Sequence, residues 1–242
     1  MKTKDKTTKQ WITLLVSVIL KLTLVIFVII GICKTMGYEG FMGGAKALLY
    51  FTIQSNITIA IVMFAFAIIN CVEFFTNKKI INNLILKIKF SFTTAIAITG
   101  FVFTLILAPR IEGVNLFNFI NFALHVFVPI LAIVDFYFFD YELTTKPVDC
   151  LLAAPMPLFY LIFALIVSTT GVVYNNGTNV PYFFLDYKTL GWFSMDKGLG
   201  VAYWIIILFV AIMGLSALML FVKNLIFKIH IKRNKHNITT KN

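Results

Sequence analysis

Two short runs of polar side chains interrupt an otherwise apolar sequence. In the first, Thr52, Ser55 and Asn56 stand at i, i+3 and i+4, a spacing that puts all three on one face of a helix. In the second, Asn118, Asn121 and His125 fall at i, i+3 and i+7, again a single stripe. A hydroxyl and an imidazole within reach of each other form a nucleophile and general-base pair, in which the imidazole takes the hydroxyl proton as the oxygen attacks a carbonyl carbon. Thr52 is the expected nucleophile and His125 the expected base. Amides such as Asn56 or Asn121 are expected to orient the imidazole or stabilise the oxyanion, with Ser55 and Asn118 as further orienting or substrate-binding groups. Asp135 lies ten residues beyond His125, roughly 15 Å along a helix and too far to hold its ring. The competing reading makes the same groups interhelical hydrogen-bond partners without chemistry.

The elements that carry these residues follow from composition. Of 242 residues, 60% are hydrophobic and 13% charged, more apolar surface than a water-soluble domain can hide, so a soluble enzyme is excluded. The apolar runs are continuous and too long for barrel strands. They predict an all-α polytopic membrane bundle, one domain of six transmembrane helices at about 11–33, 47–70, 90–108, 117–139, 151–170 and 201–222. The first run follows four lysines as a secretory signal does, but it extends from Trp11 to Cys33 with no small-residue cleavage site, so it reads as a retained span.

Charge orients the bundle. With Lys21 set aside inside the first span, fifteen of the remaining Lys and Arg fall on the side of the two termini and five on the other. The positive-inside rule then puts both termini in the cytoplasm, as an even number of spans allows. The net charge of +11 thereby has a membrane explanation, with the basic C-terminal tail (His230 and His236 included) against anionic headgroups, and no nucleic-acid partner is expected. Cys33, Cys71 and Cys150 have neither CxxC nor Cys/His spacing, so no metal, no cofactor and no disulfide framework is expected.

Both polar stripes lie on spans that run inward, with Thr52 and His125 roughly 8 and 12 Å below the outer edge at ~1.5 Å per residue, in one layer. Pro129 follows His125 by four residues, so a kink is expected beside the histidine. Asp135 is expected to form a structural ion pair with Lys87 or Lys89, a proton relay being the other reading. Arg110 and Glu112 suit either a lipid headgroup or each other. The long external connection, about 171–200, contains Asn175 and seven aromatic residues and is expected to fold back on the bundle. No internal repeat of the transporter kind is visible.

At Leu49–Asn56, Leu124–Asp135, Pro181–Asp186 and Leu190-Gly191 the chain resembles a family of bacterial six-pass membrane proteins, distantly similar to the androgen-induced and androgen-dependent membrane threonine hydrolases of animals. With the span count, the resemblance covers nearly the whole chain. It implies hydrolysis of esters between a fatty acid and a hydroxy fatty acid, with Thr52 at the position of the nucleophile and His125 at that of the histidine. It also implies membrane lipids as partners and, for the bacterial branch, the plasma membrane as location. A non-catalytic lipid-binding or transport protein is the alternative, and the oligomeric state is left open.

Overall fold

The computed structural model describes residues 6–37, 44–111, 113, 115–140, 142–174 and 176–239, with side chains described as far as residue 229. Glu112, Asn175 and the side chains of His230 and His236 lie outside the described residues. Six helices are long and apolar enough to cross a membrane: α1 (Thr8–Gly37), α2 (Phe51–Thr76), α3 (Asn83–Arg110), α4 (Phe119–Phe139), α5 (Pro147–Ser168) and α6 (Val201–Ile229). The protein is an all-helical, multi-pass membrane bundle. Its outer surface is apolar, with Ile12, Leu15, Ile19, Ile26, Ile61 and Phe64 among the exposed side chains, as a lipid solvent requires.

Helix α3 is the centre of the bundle and packs against α2, α4, α5 and α6. Thr93 to Gly100 of α3 form an unbroken buried run, which an amphipathic surface helix would not have. Small residues permit its closest approach. A Cβ on Gly100 would stand 2.8 Å from the His125 carbonyl oxygen and 3.2 Å from Pro129 carbons, so only glycine lets α3 and α4 come this near.

Proline sets the irregularities of three helices. In α4 the segment Ala123–Phe127 is a π-turn, closed by the Val128 N–H on the Ala123 carbonyl, and Pro129 follows directly. In α3 the segment Phe103–Leu107 is another, closed by the Ala108 N–H on the Phe103 carbonyl, and Pro109 follows. A proline offers no N–H to the carbonyl four residues back and crowds it; in both helices the turn before the proline widens. The kink expected at Pro129 therefore takes the form of a π-turn, and α3 carries a second. Helix α5 changes from 3-10 (Pro147–Ala153) to α geometry at Pro155.

Where α3 begins and α4 ends, four charged side chains are buried together. The Lys21 ammonium is 2.6 Å from Asp135, and the Lys89 ammonium is 2.5 Å from both Asp135 and Asp140. Lys21 also donates to Ser17 at 2.6 Å, and the Asn70 amide donates to the same oxygen at 3.0 Å. Of the two expected partners of Asp135, Lys89 is the one observed; Lys87 instead meets Asp149 at 2.7 Å.

The connection between α5 and α6 folds back on the bundle. Tyr174, Val180, Phe184 and Leu185 are buried, and Phe183 packs edge-on against Trp204 at the head of α6, with the Arg110 guanidinium over its ring at 4.6 Å.

Candidate active site

Thr52, Ser55 and Asn56 are all buried, at 5, 1 and 0% exposure. The stripe forms as its spacing predicts, although α2 starts later than the expected span. Tyr50 is extended (φ −93°, ψ 141°), and residues 47–49 belong to a separate 3-10 helix, Gly44–Leu49. Thr52 therefore sits in the first turn of α2. The Asn56 amide nitrogen donates to the Thr52 carbonyl at 2.8 Å and to the Leu124 carbonyl at 3.1 Å. By holding two carbonyls from two parallel helices, it sets Thr52 level with Leu124 and hence with His125, the next residue. Ser55 ties α2 to α3 through the Thr99 hydroxyl at 2.7 Å and reaches the Thr52 carbonyl at 3.0 Å.

His125 occupies the middle of the π-turn of α4 and is 4% exposed. Its Nδ1 lies 3.2 Å from the Asn121 carbonyl oxygen. A carbonyl only accepts, so Nδ1 carries the hydrogen and Nε2 keeps its lone pair, the form a general base needs. Nε2 is buried with no hydrogen-bond partner, as is the Asn56 side-chain oxygen. The ring stacks on Phe103, centroids 3.5 Å apart and 15° from parallel.

The second stripe differs from its expected arrangement. Asn118 precedes the helix and caps it, accepting from the Ile120 N–H at 3.0 Å, and its side chain is exposed. The Asn121 amide turns away to the Asn115 carbonyl at 2.9 Å. It is the Asn121 main chain, and not the amide, that orients the imidazole. The i, i+3, i+7 relation presumes one regular helix, whereas here the helix begins after Asn118 and widens before His125.

Thr52 lines a cleft of about 870 Å³, counting the part that opens to the outside, together with Phe51, Thr99, Phe103, Tyr160 and Tyr182; apolar side chains of α3, α5 and α6 supply the rest of the wall. His125 is not part of this wall; it stands behind Phe103, which is. Among the described residues no hydrogen bond joins the Thr52 hydroxyl to His125.

Tyr182 shares the cleft with Thr52. Thr52, Phe51, Tyr160 and Tyr182 line it together, and the Tyr160 and Tyr182 ring centroids are 6.2 Å apart. Tyr160 gives its own proton to the Leu49 carbonyl at 3.0 Å. Burial pushes the Tyr182 hydroxyl up to about 12. It therefore stays protonated at neutral pH and acts as a hydrogen-bonding group, not a base. Tyr182 and Tyr160 carry no sequence signal beyond the Pro181–Asp186 segment of the resemblance, because the cleft they share with Thr52 joins residues more than a hundred positions apart.

Among the described residues no three His, Cys, Asp or Glu side chains cluster where they would hold a metal ion. The arrangement provides a hydroxyl at the wall of an apolar cleft, peptide N–H donors at the head of a helix and, in the same layer, a neutral imidazole with a bare nitrogen. No protein-family model matches the chain, and neither a curated protein nor a solved structure does.

Proposed function

We propose that the protein is an intramembrane lipid-ester hydrolase acting on fatty-acyl esters. The observation that carries this reading is the position of Thr52 on the wall of a largely apolar cleft. An acyl chain suits such a wall, and its ester carbonyl then meets the one region able to hydrogen-bond it. In the substrate complex the Thr52 hydroxyl turns toward Nε2 of His125, as catalytic hydrogen bonds often tighten only when substrate is bound. The Thr52 oxygen forms a bond to the acyl carbon while its proton passes to Nε2. The leaving alcohol takes that proton as the ester C–O bond breaks. Water, deprotonated by the same nitrogen, then releases the acid and restores the threonine. The resemblance to the membrane threonine hydrolases supports the same two residues. In this reading both termini are cytoplasmic and the membrane is a bacterial plasma membrane.

The test is purified protein given a panel of lipid esters, with Thr52→Ala and His125→Ala as controls. Turnover that survives both changes removes the pair from the chemistry. A second reading, lipid binding without turnover, draws on a specific observation: Thr52 lines the cleft and His125 does not, and among the described residues no hydrogen bond joins the two. It predicts lipid that copurifies and is recovered intact after incubation.

A further inference from the structure

The cleft that holds Thr52 is open at its side. Among the described residues that line it, Leu158 and Phe209 alone are exposed, at 44 and 39%. Leu158 belongs to α5 and Phe209 to α6, so the opening lies between these two helices. Their register is set elsewhere. The Ser216 hydroxyl of α6 donates to the Cys150 carbonyl of α5 at 2.9 Å, and Ala153 shares an apolar cluster with Ile212. Continued along two antiparallel helices, these contacts put Phe209 opposite Pro157, next to Leu158.

The two helices part at Pro155. Helix α5 packs on α6 through its 3-10 portion, Pro147–Ala153, and beyond Pro155, where it takes α geometry, that packing thins. The gap closes again at its far end, where Phe184 and Leu185 of the connection between the helices pack with Tyr160 and Ala164 of α5 and Val201 of α6. The opening is therefore bounded at both ends, a window in the side of the bundle.

Depth decides what can pass through it. Leu158 falls at the middle of the 22 residues of α5, so the window stands at mid-span, with the polar boundaries of the bilayer roughly 15 Å away on either side. Outside it there is only hydrocarbon. Water and headgroups do not reach this level, whereas lipid tails are already there. Inside, the same cleft holds the Thr52 hydroxyl and the Tyr160 and Tyr182 phenols.

We infer that the gap between α5 and α6 is a side entrance by which the acyl chain of a bilayer lipid enters the cleft, lying across the Leu158–Phe209 window so that carbons the cleft cannot hold stay in the membrane. This rests on the reading that the cleft takes fatty-acyl esters and specifies their class: long-chain lipids drawn sideways from the bilayer, with no upper limit of chain length set by the protein. Entry involves no covalent step.

The probes are radiolabelled stearate and the longer behenate, which have the chain but no ester, so binding is measured apart from hydrolysis. With full-length protein in nanodiscs and equal mole fractions of each acid in the bilayer, behenate is expected to bind about as tightly as stearate. A closed pocket filled by stearate would reject the extra carbons by about tenfold or more. Leu158→Cys puts a thiol on the rim of the window. Once it carries a bulky methanethiosulfonate group, stearate binding is expected to weaken about tenfold beyond any change in wild-type protein, whose Cys33, Cys71 and Cys150 meet the same reagent. Binding should return when a reductant removes the group, which separates a blocked entrance from a misfolded variant. Stearate binding that the rim group leaves unchanged, or behenate rejected about tenfold against stearate, overturns the inference. Binding that the group blocks, in a protein that hydrolyses no ester, keeps the entrance and removes the enzyme. Ester hydrolysis indifferent to the group does the reverse, and wild-type protein that neither binds these acids nor hydrolyses an ester removes both.

Discussion

Position 52 needs an oxygen, and its neighbours need that residue's backbone. If the hydroxyl is the nucleophile, Thr52→Ser retains part of the activity, because the oxygen is kept, and Thr52→Ala loses it; initial rates on a responsive ester separate the two. The fold should tolerate either change, since Asn56 holds the Thr52 carbonyl and not its side chain. Asn56→Leu is different. It removes one hydrogen bond from each of two buried carbonyls, of Thr52 and Leu124, the first of which keeps the Ser55 hydroxyl, and each such bond contributes about 0.5–1.5 kcal/mol. Thermal unfolding in detergent is expected to show a clear downward shift for Asn56→Leu and little for Thr52→Ser. The Thr52 face was legible in the sequence because three polar residues at helical spacing in an apolar run have few other places to go. Tyr182 was not, because nothing in a tyrosine of the long connection between α5 and α6 says which cleft it will line.

The paired π-turns give the helices their own predictions. Pro129→Ala restores an N–H to the His125 carbonyl and removes the crowding that widens the turn, so α4 can return to regular geometry. Taking out the extra residue of the turn rotates His125 by roughly 100° about the axis and off the Phe103 ring. Activity is expected to fall with thermal stability held or raised, and the ring-current shift of the His125 protons should vanish. Gly100→Ala acts on the same contact from the other side. Its new Cβ would meet the His125 carbonyl oxygen at 2.8 Å, and such overpacking typically costs 1–3 kcal/mol. Gly214→Ala, where nothing lies within 4 Å, is the matched control and should be neutral or gain up to about 1 kcal/mol. The six helices themselves were readable, since a run of about twenty apolar residues is nearly all that a spanning helix requires. Their ends were not. Hydropathy runs on through Ala47, Leu48 and Leu49, whereas the extended backbone of Tyr50 ends one helix and starts another.

For the molecule as a whole, the buried charges matter most. Lys21, Lys89, Asp135 and Asp140 are at most 4% exposed and balance in sign. Asp135→Asn leaves two ammonium groups facing one carboxylate, and breaking a buried pair in this way costs about 3–5 kcal/mol. Adding Lys21→Met to that change leaves the Lys89–Asp140 pair intact and is expected to recover much of the loss, so the double variant should melt above the single one. Lys89 was a legible partner for Asp135, as it stands near the end of its span. Lys21 was not, for a lysine in an apolar run reveals neither its depth nor a counter-charge 114 residues away.

That separation has a consequence for how the chain is made. When the first helix leaves the ribosome it carries an ammonium group whose balancing carboxylate has not yet been translated. Hydrocarbon is a poor host for it alone, so early in synthesis the side chain must snorkel toward the surface or be sheltered by the insertion machinery. The fourth helix, on arrival, releases the first into its final depth, which makes membrane integration of this protein a joint event and not six successive ones.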